Sequence, residues 1–143
     1  VLQYMRANGY KTYIISGGGQ DFVRVYAEQV CGISPDQVVG SMGGIKFGYG
    51  KDGEPVLTRE PKLLLNDDVA GKPEGIHMMI GRRPYAAFGN SIGDWPMLEY
   101  TTAGVGARLG MLVLHDDGER EYAYWPAARA ARHQDRHVHL GAL

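Results

Sequence analysis

Apolar side chains recur along this chain in short runs parted by glycine-rich turns, and the spacing inside each run predicts an element. Val1, Leu2, Tyr4 and Met5 fall at helical spacing, and Asn8-Gly9 follows as a stop, with glycine at the left-handed position that ends a helix. A chain that is already periodic at its first residue is expected to continue an upstream segment. Residues 10–16 (YKTYIIS) form a β-branched and aromatic run closed by Gly17-Gly18-Gly19, after which Phe22, Val23, Tyr26 and Val30 return at helical spacing as far as Cys31-Gly32. The order is strand, glycine turn, helix. Residues 37–40 predict a second short strand. Residues 45–49, a Lys51-Asp52-Gly53 turn and residues 55–58 predict a hairpin standing on the sheet as a flap.

Beyond the flap, Gly71-Lys72-Pro73-Glu74 opens a helix with Ile76, Met79 and Ile80 as its apolar stripe, because proline suits a first helical turn. Residues 84–88 form a small apolar strand ended by Gly89-Asn90-Ser91. Asp94 can cap a following helix that carries Pro96, Met97, Leu98 and Tyr100. Residues 103–106 and 111–115 read as two more short strands. Strands that are apolar throughout and alternate with helices predict an α/β fold with a parallel sheet covered by helices on both faces. Ligands of such sheets sit outside the carboxyl ends of the strands.

The chain has 143 residues, which is the size of one domain, and 44% apolar with 22% charged residues excludes disorder as its main state. A formal charge of −1 leaves no electrostatic footprint for nucleic acid or an anionic membrane, so any anion must be bound locally. The single cysteine, Cys31, cannot form an intrachain disulfide and reads as a small core residue. No apolar run approaches the roughly 20 residues of a membrane helix. The expected location is cytoplasmic. Residues 1–124 are taken as the folded unit and residues 125–143 as an Ala-, Arg- and His-rich tail, where His133, His137 and His139 are expected to be solvated.

Three polar or glycine-rich clusters fall near strand ends. Ser16 lies where a strand meets a helix, so its hydroxyl and the amides of Gly17 and Gly18 can point at one anion at a helix N-terminus. The turn fits neither the dinucleotide fingerprint, which needs glycine where Phe22 stands, nor the phosphate loop that ends in Gly-Lys-Ser/Thr. Lys72 sits at the head of a helix, where a cation opposes the helix dipole and calls for an anionic partner. Asn90 and Asp94 can aim two oxygen ligands into one site. That arrangement suits Mg²⁺, which takes one or two carboxylates together with water and substrate phosphate.

These stretches, Ile14-Ile15-Ser16-Gly17-Gly18, Gly71-Lys72-Pro73 and the run from Phe88 through Gly89-Asn90-Ser91-Ile92-Gly93-Asp94 to Leu98, resemble the second, third and fourth motifs of haloacid dehalogenase-like hydrolases. The nearest branch is the one similar to phosphoserine phosphatase, and the likeness covers about residues 1–122. The resemblance implies a Rossmann-like sheet and hydrolysis of a small phosphorylated metabolite through an aspartyl-phosphate, with Mg²⁺ as cofactor. It implies that Ser16, Gly17 and Gly18 hold phosphoryl oxygens, that Lys72 neutralises the phosphate and the nucleophile, and that Asn90 and Asp94 support the metal.

The family's first motif, an Asp-x-Asp strand carrying the nucleophile, occurs nowhere in the sequence. Asp67-Asp68 and Asp116-Asp117 are adjacent pairs, which a strand would point to opposite faces, so neither replaces it. By the resemblance, the absent strand belongs between the one ending at Ser16 and the one ending at Phe88. The middle of the sheet is therefore expected to be open, with exposed edges that invite a second copy to pair. Relatives often carry an acid at position 90 or 92; here Asn90 and Ile92 leave Asp94 alone, and Mg²⁺ should bind weakly. The chain alone is expected to be inactive. The alternatives are a non-catalytic phosphate-binding module and another hydrolase of the same superfamily, a dehalogenase or phosphonatase.

Overall fold

The computed structural model describes residues 1–120 and residue 122. The boundary expected at 124 and the histidines at 133, 137 and 139 lie outside the described residues. The elements run α1 (Leu2–Ala7), β1 (Ile14–Gly19), α2 (Gln20–Cys31), β2 (Val38–Tyr49), β3 (Pro55–Leu65), α3 (Gly71–Ile80), β4 (Ala86–Gly89), α4 (Trp95–Thr102) and β5 (Leu109–Leu112). Single 3₁₀ turns at Pro35–Gln37 and Ile92–Asp94 precede β2 and α4.

The fold is mixed α/β, and its strands form two sheets where one parallel sheet was expected. β1 pairs parallel with β2, β2 pairs antiparallel with β3, and β4 pairs parallel with β5. The expected flap is not a separate feature. β2 is a single strand of 12 residues that begins in the parallel ladder and ends as the first arm of the hairpin. Register shifts at Met42, Gly43 and Gly44 mark where it passes from one role to the other. The turn is where the sequence placed it, with Gly53 at φ 77°. Residues 103–106 form turns and bends, since Gly104 and Gly106 break any ladder there.

Two apolar clusters hold the layers together, and β1 serves both. Ile14 packs with Val23, Ala27, Ile33 and Val38, which joins α2 to β1 and β2. Ile15 packs with Ile76, Ala87, Met97 and Leu98, which joins α3, α4 and β4. Successive side chains on a strand point to opposite faces, so two adjacent isoleucines are enough to bind the halves. The helical spacing was right, but the buried faces differ from the expectation. In α2, Val23 and Ala27 are buried while Phe22 and Val30 are 71% exposed; in α3, Ile76 is buried and Met79 is exposed. No residue of α1 is buried.

Between the sheets lies an apolar slot of about 490 Å³, lined by Thr12, Tyr13 and Ile15 on one side, Ala86, Ala87 and Phe88 on the other, with Ile76 and Met97 among its walls. Among the described strands, β1 pairs only with β2 and β4 only with β5, so each presents an unpaired edge.

Gly40 of β2 passes so close to the β1–α2 junction that a Cβ would stand 2.8 Å from both the Gln20 Cα and the Gly18 carbonyl oxygen. Both are backbone atoms and cannot swing aside. Gly40→Ala is expected to destabilise the fold by about 1–3 kcal/mol, the usual cost of overpacking, read as a lowered urea midpoint. A midpoint equal to that of the unsubstituted chain would show that β2 sits farther from the turn.

Candidate functional site

Ser16 closes the apolar part of β1. The ladder with β2 pairs Ser16 with Gly40 and resumes only at Gly19 with Ser41, so Gly17 and Gly18 stand outside regular pairing. The Gly18 N–H donates to the Ser16 hydroxyl oxygen at 3.1 Å, which leaves the Ser16 O–H to donate elsewhere. The Ser41 hydroxyl donates to the Gly17 carbonyl at 2.8 Å and accepts from the Asp67 N–H at 3.0 Å, tying the turn to the loop before α3.

Lys72 enters from the first turn of α3 and is 6% exposed. The anionic partner that its position calls for is Asp94: the ammonium stands 3.0 Å from Asp94 Oδ1 and donates to the Ile15 carbonyl at 3.3 Å. An ammonium has three donors, so one remains for a ligand.

Asp94 lies after β4, in the 3₁₀ turn before α4. It was expected to cap α4, but its side chain makes no such bond there. Its Oδ2 instead accepts the N–H groups of Asn90 at 2.8 Å and Ser91 at 3.0 Å and the Ser91 hydroxyl at 3.3 Å. Ser91 and Asp94 thereby form a capping box on the Ile92–Asp94 turn. Burial works to raise its pKa, but the Lys72 ammonium and the two backbone N–H groups outweigh burial and hold it below the usual carboxylate range. Gly89 leaves room for this carboxylate, since a Cβ there would collide with the Asp94 side chain.

These segments meet in one cleft of about 560 Å³ lined by Ile15, Ser16, Gly17, Asp68, Lys72, Phe88, Gly89, Asn90, Ser91, Asp94, Val113 and His115. Of the residues singled out in the sequence, Ser16, Gly17, Lys72, Asn90 and Asp94 are brought together. Gly18 is not among the lining residues. Asp68 and His115 also face the cleft without having been singled out for it. Asp68 follows the end of β3 in a loop, so the alternation rule for strands that set the Asp67-Asp68 pair aside does not govern it. Nothing in its local sequence separates it from a solvated acid.

Asp67 is the third unforeseen residue. It is fully buried, and neither carboxylate oxygen has a hydrogen-bond partner. Burial pushes its pKa up to about 7, against the pull of the Lys72 ammonium. Gly75 makes this placement possible, because a Cβ there would collide with Asp67 Oδ1.

Magnesium, which the resemblance implies, demands octahedral oxygen coordination. Asp94 commits one oxygen to Lys72 and the other to two amides and a hydroxyl, and the described residues hold no group of three or more His, Cys, Asp or Glu side chains able to take a metal ion. With both of its oxygens engaged, Asp94 is a poor magnesium ligand in this arrangement, and the chemistry proposed for the cleft uses no metal ion. What the cleft offers is a pair of donors, the Lys72 ammonium and the Ser16 hydroxyl, beside the backbone of Gly17. Compared with models of known families and with curated proteins, the chain matches neither.

Proposed function

We propose that the cleft binds the phosphoryl group of a small phosphorylated metabolite, and that the chain is the phosphate-holding part of a phosphatase of the haloacid dehalogenase-like type. The observation that carries the reading is convergence: Ser16 and Gly17 from β1, Lys72 from α3 and Asp94 from the segment after β4 line one cleft. Phosphate suits this set because Gly17 lets its oxygens approach the backbone while Lys72 and Ser16 supply N–H and O–H donors.

In this chemistry an aspartate attacks phosphorus, the alcohol leaves, and water then cleaves the aspartyl-phosphate. Lys72 would offset charge on the transferring group, and Ser16 would hold one of its oxygens. The cleft's own carboxylates are poor candidates for the attack. Asp94 is held by Lys72 and two amides, and Asp68 Oδ1 accepts the Val69 N–H at 2.9 Å. The attacking group would come with an Asp-x-Asp strand seated in the slot between β1 and β4, whose unpaired edges suit one more strand.

A second reading, phosphate binding without turnover, is favoured by the same fact that both cleft carboxylates are engaged. The chain alone is expected not to hydrolyse p-nitrophenyl phosphate, whereas inorganic phosphate at 100 times its dissociation constant should stabilise the fold by about 2.7 kcal/mol in thermal melts. Ser16→Ala should weaken that effect while leaving the free protein folded. No melting shift at any phosphate concentration would exclude both readings. Turnover that survives purification and is lost in Ser16→Ala would place an attacking group in this chain and overturn the proposed division of labour.

A further inference from the structure

Asp67 is not used by the chemistry above, yet it is the most anomalous polar group among the described residues. A carboxylate removed from water without hydrogen bonds is costly, and such a group tends to persist protonated unless a cation faces it. Asp67 Oδ1 lies against Gly75 of α3, and Lys72 stands one turn earlier on the same helix. Burial is the largest influence on it; the Lys72 ammonium of α3 and the Ser16 backbone N–H of β1 favour the ionised form, and Asp68 beside it disfavours that form. Its backbone is anchored to the anion turn as well, since its N–H reaches the Ser41 hydroxyl, which in turn donates to the Gly17 carbonyl.

We propose that Asp67 is a positioning residue that acts through Lys72: when ionised it draws on the ammonium from behind the cleft, and when protonated it leaves that charge to the bound anion. The inference deepens the phosphate-binding reading and rests on it for the identity of the ligand. Lys72 is already matched by Asp94, so the cleft holds no surplus positive charge on its α3 side. A second carboxylate within the field of the same ammonium therefore adds a net negative charge to what an incoming dianion meets. The proton that Asp67 takes up comes from solvent, so anion binding and proton uptake are linked.

The test uses sulfate, which remains a dianion throughout, titrated into the chain and into Asp67→Asn by calorimetry between about pH 5.5 and 8.5. His115 lines the cleft in both proteins, so the quantity read is the difference between the two curves. Sulfate affinity of the unsubstituted chain is expected to fall with rising pH by about three- to tenfold more than that of Asp67→Asn, which keeps the tighter value at high pH. Parallel curves would overturn the inference. The Lys72 side-chain resonance, followed by NMR without any anion, separates this failure from that of the underlying reading. If that resonance titrates near pH 7 in the unsubstituted chain only, while sulfate binds neither protein, the coupling stands and the anion site falls. If it does not titrate, the coupling itself is refuted.

Discussion

Asp94→Ala is expected to lower folding stability by about 3–5 kcal/mol, the range seen when one partner of a buried ion pair is removed and the other is left as an uncompensated charge. Lys72 and Asp94 have side chains only 7% and 8% exposed, so water cannot take over the lost contact. The loss extends beyond the charge pair, because the same substitution strips the acceptor from the Asn90 and Ser91 N–H groups. Two controls divide these contributions. Asp94→Asn keeps an oxygen for the amides and removes the charge, and Lys72→Met combined with Asp94→Asn removes both charges together. The combined variant should recover at least half of the stability lost in Asp94→Ala, measured as urea midpoints with unchanged slopes. An Asp94→Ala chain within about 1 kcal/mol of the unsubstituted one would mean that the pair is effectively solvated.

Asp67→Asn is expected to have the opposite sign. Its carboxyl group titrates at about 7 in the fold against 3.8 for the ordinary group, burial being the main cause and Lys72 a partial offset. A folded-state pKa above the unfolded one means that the native chain binds the extra proton, so stability is complete below about pH 4 and declines as pH rises through 7. The shift corresponds to about 4 kcal/mol once both states are ionised. Asparagine has nearly the same shape and never ionises. At pH 8 the variant should therefore be the more stable by up to about 4 kcal/mol, and near pH 4 the two should converge. Asp94, whose pKa is lowered, works in a separate window: its contribution is present above the ordinary carboxylate range and is lost only in more acid solution. Denaturation at a series of pH values checks both slopes. Equal stability of Asp67→Asn and the unsubstituted chain at pH 8 would show that Asp67 finds a polar partner when ionised.

The sequence was most legible where chemistry depends on residue type at short range. The stop at Asn8-Gly9, the end of α2 at Gly32, the Gly53 turn and the opening of α3 at Gly71 follow from glycine and proline restricting the backbone, and all four are found. It was less legible where two elements compete for one stretch. Residues 38–49 read as two strands because Gly40, Gly43 and Gly44 interrupt the apolar pattern, yet they form one strand, since Gly40 is required by the close approach of Gln20 and not by a turn. Helical spacing in α2 and α3 identified the helices but not their inner faces. An apolar stripe wide enough to include Phe22, Val23, Tyr26 and Val30 leaves open which side meets the sheet, and only packing against Val38 and Ile33 selects Val23 and Ala27.

The candidate site divides in the same way. Local sequence determined that the glycines after Ser16 would lead directly into a helix, although they extend β1 to Gly19 and do not end it in a turn, that Lys72 would need an anion, and that Asn90 to Asp94 would follow a short strand, because each statement concerns the backbone within a few residues. Tertiary structure decided the rest. It chose Asp94 as the partner of Lys72, moved Gly18 off the lining of the cleft, brought Asp68 and His115 onto it, and buried Asp67 behind it. The physical reason is that charge pairing and desolvation depend on distance through space, and a single sequence fixes that distance only where residues are already neighbours along the chain.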